Sequence, residues 1–382
     1  MPSDWHYPSL PEGQPYSTAD MTPPIATTRS SDKLAAATLP KLMDRWLLLG
    51  AYGPRARFHM AAAWIALAGL VAVDAVWLSL SRLSFAASNW DSIIRLVLFM
   101  AIAFGFCGLV SHRLADETGR VGGALRESAR RVELFAAAAL VFALLAVTVI
   151  AYCYLGTAAA LPLQDARLAQ IDRWMGFDWV AFVEFANSSA LASWLLVKAY
   201  QSTPYMLIGT MLWFCISGQG ERLAEFLALS CITSIGIAVG MMILPAAGAY
   251  SYYHLPLAAY ENFGAGSGMW HHELLMALRA GQITVIDFNV PNSNCLVTFP
   301  SGHTILAIIT TFALRGSRWT LIPAFIVNGA MLVSTIPHGG HHLFDLIVGG
   351  VIAACTIFFV RLPLGVRRSR LATSGDVGLA SV

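Results

Sequence analysis

The sequence predicts an all-α integral membrane protein with about eight transmembrane helices, and three observations carry that expectation. Only 12% of the 382 residues are charged and 57% are hydrophobic, with a mean hydropathy of +0.63; soluble domains carry about 25% charged residues. Apolar runs recur along the chain, several near the roughly 20 residues a spanning helix needs. Basic residues concentrate in alternate connecting segments, as cytoplasmic loops do. The net charge of +2, with no basic, aromatic-interleaved patch, gives no footing for nucleic acid.

Residues 1–59 are polar, with Pro23-Pro24 and a Ser/Thr run, and read as a largely disordered tail with a helical stretch over 39–49. The tail lacks an early apolar core, so no cleaved secretory signal is expected. Apolar runs follow at about 60–80, 92–111, 134–156, 199–217, 223–246, 300–314, 319–336 and 342–360. The first two form a two-helix extension (60–131), the rest a six-helix core (132–362), and 363–382 a basic tail. No internal repeat is evident.

With both termini cytoplasmic, 18 of the 24 Lys/Arg lie inside; Arg82, Arg95, Arg167, Arg173, Lys198 and Arg279 stay outside. Two long outer loops result. Residues 157–198 carry Asp165, Asp172 and Asp178 and a moderately amphipathic stretch suited to the membrane surface. Residues 247–299 carry Tyr250, Tyr252, Tyr253, Tyr260 and Trp270, three histidines and the glycine-rich segment 264–268. Loops of this length are usually functional or disordered.

The six cysteines (Cys107, Cys153, Cys215, Cys231, Cys295, Cys355) have no paired spacing, and only Cys295 falls in a loop, so neither disulfide nor cysteine metal site is expected. Asp74 is an acid inside the first span, read as pairing with a neighbouring helix or water.

Two motifs carry chemistry. Phe299-Pro300-Ser301-Gly302-His303-Thr304 opens an apolar run. A proline at the first helical position would leave the amides of Ser301, Gly302 and His303 free at a positive helix end, which binds anions and phosphate in particular. Gly302 admits a ligand close to the backbone, Ser301 adds a hydroxyl donor, and His303 can deliver a proton to a leaving oxygen. The bland alternative is an ordinary helix start with one interfacial histidine. The second motif, Pro337-His338-Gly339-Gly340-His341-His342-Leu343-Phe344-Asp345, opens the last span. His341 and Asp345 are four apart and share a helical face; the carboxylate can fix the imidazole tautomer and leave the other nitrogen as nucleophile or base. Three histidines in five residues also allow a metal site, but no cysteine or second carboxylate cluster accompanies them. The predicted topology puts both motifs at the outer face.

Pro-Ser-Gly-His followed some forty residues later by His-x-x-x-Asp resembles the type 2 phosphatidic acid phosphatase superfamily. Leu278-Arg279-Ala280-Gly281, with Val297-Thr298-Phe299-Pro300-Ser301-Gly302-His303, is similar to its inositol phosphorylceramide synthase-like (inositolphosphotransferase) branch. Pro162–Asp165 and Ile171–Trp179 also resemble a stretch common in the superfamily, so the similarity covers about 134–360. The resemblance implies a metal-independent enzyme without cofactor, acting on a lipid phosphate or diphosphate in a plasma or inner membrane. It implies His341 as nucleophile forming a phosphohistidine, His303 as general acid, Asp345 as orienter of His341, and Ser301 and Gly302 as phosphate ligands.

The Lys-x6-Arg-Pro element usual in the superfamily's phosphatases is missing, and their Ser-Arg pair is replaced by Ser334-Thr335. The cation that phosphoryl transfer needs is therefore expected from Arg279 or Lys198; the alternatives are a solvated loop charge and an interfacial lysine. Water or an alcohol as acceptor, hence hydrolase or head-group transferase, stays open, as does a non-catalytic lipid binder or transporter that keeps the fold.

Overall fold

A computed structural model describes residues 53–114, 117, 119–289 and 296–362. The expectations for the 39–49 helix, the C-terminal tail and Cys295 lie outside the described residues. The protein is all-α and integral to the membrane. The chain opens with helix α1 (Gly53–Leu80), then strand β1 (Ser84–Phe85), α2 (Ala87–Arg113) and α3 (Arg120–Ala158). Three short helices follow, α4 (Asp165–Trp174), α5 (Trp179–Asn187) and α6 (Ala190–Gln201), before α7 (Thr203–Ile216) and α8 (Gly220–Ile243). The second long loop contributes α9 (Ala249–Tyr253), α10 (His272–Arg279) and strand β2 (Val285–Ile286). The chain then continues through α11 (Gly302–Ala313), α12 (Arg318–Ser334) and α13 (Leu343–Arg361).

Each of the eight apolar runs is largely helical. Five (α1, α2, α3, α8, α13) are long and apolar enough to cross a membrane, while α7, α11 and α12 are shorter, with 14, 12 and 17 residues. Helices α5 and α6 pass the same test only as a pair bent by 108°. Three expected boundaries move. Helix α1 begins at Gly53, inside the segment read as tail. The division between extension and core at 131/132 falls within the unbroken 39-residue α3, whose first turns carry the arginines. The run expected from 199 is split at Ser202, because Pro204 is favourable only in the first turn of a helix.

Packing ties the first helix of the extension, α1, to the core. Helix α1 is apolar on every side, so amphipathicity cannot choose its buried face. The face is marked instead by Ala56, Met60, Ala63, Leu67 and Leu70, spaced alternately four and three apart and buried mainly against α8. Alanines in such a stripe let backbones approach where lipid gives no hydrophobic drive between helices. By contrast α2 packs chiefly on α3, and only 11% of its apolar window is buried.

The two ends of the bundle differ in chemistry. At one, Glu225 is buried and pairs with Arg315 at 2.6 Å and Arg361 at 3.9 Å, and Arg55 lies 4.0 Å from Glu221. The other end carries the long loops. There β1 pairs in parallel with β2, Ser84 opposite Val285. Buried Asn89 locks the pair, its Nδ2 donating to the Ile286 carbonyl at 2.6 Å and its Oδ1 accepting the Phe288 amide at 2.8 Å. The loop after α1 is thus tied to the loop before α11.

Candidate active site

The site forms where α11 and α13 begin, at the loop-bearing end. Helix α11 starts two residues later than a proline N1 would require, at Gly302. Ser301 is the N-cap, its Oγ accepting the Thr304 amide at 3.3 Å, and the Phe299–Pro300 peptide before it is cis. Serine is the better cap because its hydroxyl satisfies an orphan amide. The Ser301 amide is also committed, donating to the Asp345 carbonyl at 3.1 Å, so only Gly302 and His303 offer first-turn amides without an upstream helical partner. Gly302 is open to a ligand: the nearest atom to a Cβ placed there is Ile237 Cδ1 at 3.8 Å.

His341 lies just before its helix, not on it. His342 is the N-cap of α13, and Asp345, at the third helical position, turns its Oδ2 back to accept the His342 amide at 3.0 Å. The same Oδ2 is 3.3 Å from His341 Nδ1, an ion-pair contact without hydrogen-bond alignment. The expected pairing is therefore present but arises from cap geometry instead of a shared helical face. A proton on Nδ1 leaves Nε2 for chemistry. The backbone of His341 is held on both sides: its amide donates to Thr335 at 3.1 Å, and its carbonyl accepts Trp179 Nε1 at 2.9 Å. Thr335, where the superfamily's phosphatases carry arginine, is fully buried.

The glycines before His341 serve contact more than open space. A Cβ at Gly339 would lie 2.5 Å from the Thr335 carbonyl oxygen; Gly340 has φ +72° and would press on Gly268 Cα at 2.9 Å.

The rings of His303 and His341 face each other across the site, centroids 6.3 Å apart and 73° inclined, and Tyr200 stacks on His303 at 4.2 Å. They border a cavity of about 310 Å³ whose mouth also carries Gly302, Trp270 and His271. Among the described residues no lysine or arginine lines it. Arg279 ends α10, with its guanidinium 3.5 Å from the Ala160 carbonyl, and exposed Lys198 reaches Gln201 at 3.4 Å. Ser301 is buried beneath the mouth, whereas Gly302, His303 and His341 come together at it. Among the described residues no three His, Cys, Asp or Glu side chains are placed to hold a metal ion.

Sequence reasoning missed the polar groups that sit behind the site and hold the start of α13. His342 is fully buried between two carboxylates, its Nε2 3.5 Å from Asp165 Oδ1 and its Nδ1 3.5 Å from Asp172 Oδ2. Asp165 also accepts the Ala247 and Gly248 amides, and Asp172 those of Leu343 and Phe344 at the start of α13. Burial alone would lower the His342 pKa, but Asp165 and Asp172, with Asp345 nearby, raise it to about 9. The available signal was Asp165 and Asp172 seven apart, two turns along one face of a short helix. His271 donates from Nε2 to the Ala247 carbonyl at 3.0 Å, and burial, with His341 adding to it, pushes its pKa down to about 4. His338 is lowered to about 4 by burial. Its Nδ1 is 3.1 Å from Ser267 Oγ, whose single proton goes to Phe263, so His338 is the donor there.

Two imidazoles, one with a carboxylate behind it, thus meet beside a helix N-terminus at the loop-bearing end of a helical membrane bundle. A family model described as the PAP2 superfamily matches residues 166–359, more than half the chain, and the protein belongs to that superfamily. No curated protein and no solved structure matches it. Membership brings lipid phosphatase or phosphotransferase chemistry, with lipid phosphates as the substrate class.

Proposed function

We propose that the protein cleaves a lipid phosphoester or diphosphate through a phosphohistidine at His341, without a metal ion. The facing His303 and His341 rings, with Asp345 behind His341, carry this reading. Nε2 of His341 attacks phosphorus as the bond to the leaving oxygen breaks, and His303 gives that oxygen its proton. An acceptor hydroxyl then attacks phosphorus, the P–N bond breaks, and His303 takes the acceptor's proton. The negative charge that develops is met by the Gly302 and His303 amides at the helix start; Ser301, expected as a further phosphate donor, is buried outside the cavity lining and caps the helix that presents those amides. Arg279 and Lys198 do not line the cavity, and we assign them long-range attraction of the head group.

The site is read as facing the non-cytoplasmic side. Arg55, Arg315 and Arg361 lie at the opposite end of the bundle, which the basic-residue rule places inside. Transfer to an alcohol, as in the inositol phosphorylceramide synthase-like branch, is the second reading. It is favoured by Leu278-Arg279-Ala280-Gly281 and by the missing Arg-Pro and Ser-Arg elements.

The test is phosphate release from a panel of lipid phosphates by purified protein in detergent with EDTA, with His341→Ala and His303→Ala alongside. Release lost in both variants is expected. Turnover only when an alcohol such as inositol is supplied would select the transferase. Release that needs a divalent ion would overturn the metal-free route, and no turnover under any condition would leave a binder.

A further inference from the structure

The cavity does not end at the histidines. Below them it continues into the bundle between α3, α7, α8 and α11, walled by Phe142, Leu145, Val149, Leu207, Ile237 and Leu306. Its depth follows from α8. Gly240 packs on Pro300 at the level of the site, and Ser230, which also lines the cavity, is ten residues below, about 15 Å at 1.5 Å per residue. That is about half of a 30 Å hydrocarbon core.

Ser230, Thr233 and Ser234 interrupt the apolar wall, yet each hydroxyl already donates to a carbonyl of its own helix, at 2.9, 2.7 and 2.9 Å. An apolar occupant would leave no donor unsatisfied there. At mid-depth the α3 wall is reduced to a methyl group, because Ala146 lines the cavity and is exposed.

We infer that this cavity receives one hydrocarbon chain of the substrate, threaded down from the phosphate between the histidines and admitted beside Ala146 between α3 and α7. The inference rests on the phosphate-handling reading of the site, since it places the head group at His303 and His341. It makes the protein's substrate a lipid whose chain is held inside the protein, with chain length read by the cavity.

The test uses full-length protein in detergent and a single-chain lipid phosphate bearing a diazirine at its chain end. After illumination the labelled peptides are mapped, and phosphate release is measured in parallel. Label is expected within 142–149 of α3 and 230–237 of α8, in wild type and in His341→Ala alike. Label confined to the outward surface of α2, or none in the bundle interior, would overturn the inference. Interior label without turnover, whether or not inositol is supplied, would leave the chain site standing and remove the catalytic reading; turnover without interior label would do the reverse.

Ala146→Trp should lower interior labelling and shift kcat/KM against long chains relative to a short, water-soluble phosphoester by about tenfold or more, as hydrophobic pockets discriminate. An equal effect on both substrates, or none, would count against a chain site. The smaller Ala146→Leu should give a graded version of the same shift if the tryptophan variant does not fold.

Discussion

At the residue scale, His341 is useful because its backbone has no freedom to leave the site. Trp179 and Thr335 grip its carbonyl and amide, and Asp345 faces Nδ1. Asp345→Asn keeps the size but removes the charge that favours a proton on Nδ1. Replacing the carboxylate that orients a catalytic imidazole by its amide costs about 10⁴ in kcat in the Ser-His-Asp case, so kcat should fall by up to about that factor with KM little changed; steady-state kinetics on a lipid phosphate would show it. A KM effect alone would assign Asp345 to substrate binding instead. His342 gives a different prediction. Its raised pKa means the folded state holds a proton that the unfolded chain releases near pH 6.5, so its stabilisation is complete below that pH and fades as pH rises through about 9. The loss is on the order of 3 kcal/mol. His271 and His338 act oppositely, since both are held neutral and cost stability as pH falls from 6.5 towards 4. Thermal unfolding against pH should therefore peak near neutrality, and His342→Gln should flatten the alkaline limb alone.

At the element scale, the starts of α11 and α13 do the positioning, and their glycines separate ligand space from packing. Gly302 faces open cavity, so Gly302→Ala should keep its melting temperature while losing activity, because the methyl group sits where an anion would approach. Gly340 is left-handed and against Gly268, so Gly340→Ala should lose stability first, by at least 1–2 kcal/mol for the left-handed backbone alone. Melting curves beside initial rates would separate the two; a reversed pattern would sink this division of roles. Both glycine motifs were legible in the sequence as helix entrances. What they touch was not, since Gly268 and Tyr200 come from distant segments. The α11 cap shows the same limit: Pro300 and Ser301 both announce a helix start, and while the Ser301 hydroxyl caps Thr304 locally, its amide is taken up by the Asp345 carbonyl, a partner some forty residues away.

At the scale of the whole molecule, the eight runs were readable because a span must be apolar along its length, whatever its neighbours are. The face each helix buries was less readable in α1, whose apolar residues are spread over every side and where shape selects the contact. The Asp165–His342–Asp172 cluster was hidden because His342 is about 170 residues from the two aspartates and meets them only through the fold. The same separation accounts for β1–β2, whose two-residue strands carry no alternation to read. The division of the bundle into a reactive end and an ion-paired end predicts separable effects. Glu225→Gln strips Arg315 and Arg361 of their counter-charge and should lower stability by about 1–3 kcal/mol, with kcat/KM of the folded protein retained. Activity lost in proportion to distance from neither end would argue that the two are coupled.

The central claim is the covalent intermediate on His341, and rapid-quench trapping with a ³²P-labelled lipid phosphate tests it most directly. Label is expected on the protein that survives alkali, is lost in acid, appears in the presence of EDTA, and is absent from His341→Ala. Acid-stable label, or label of undiminished amount in His341→Ala, would contradict it.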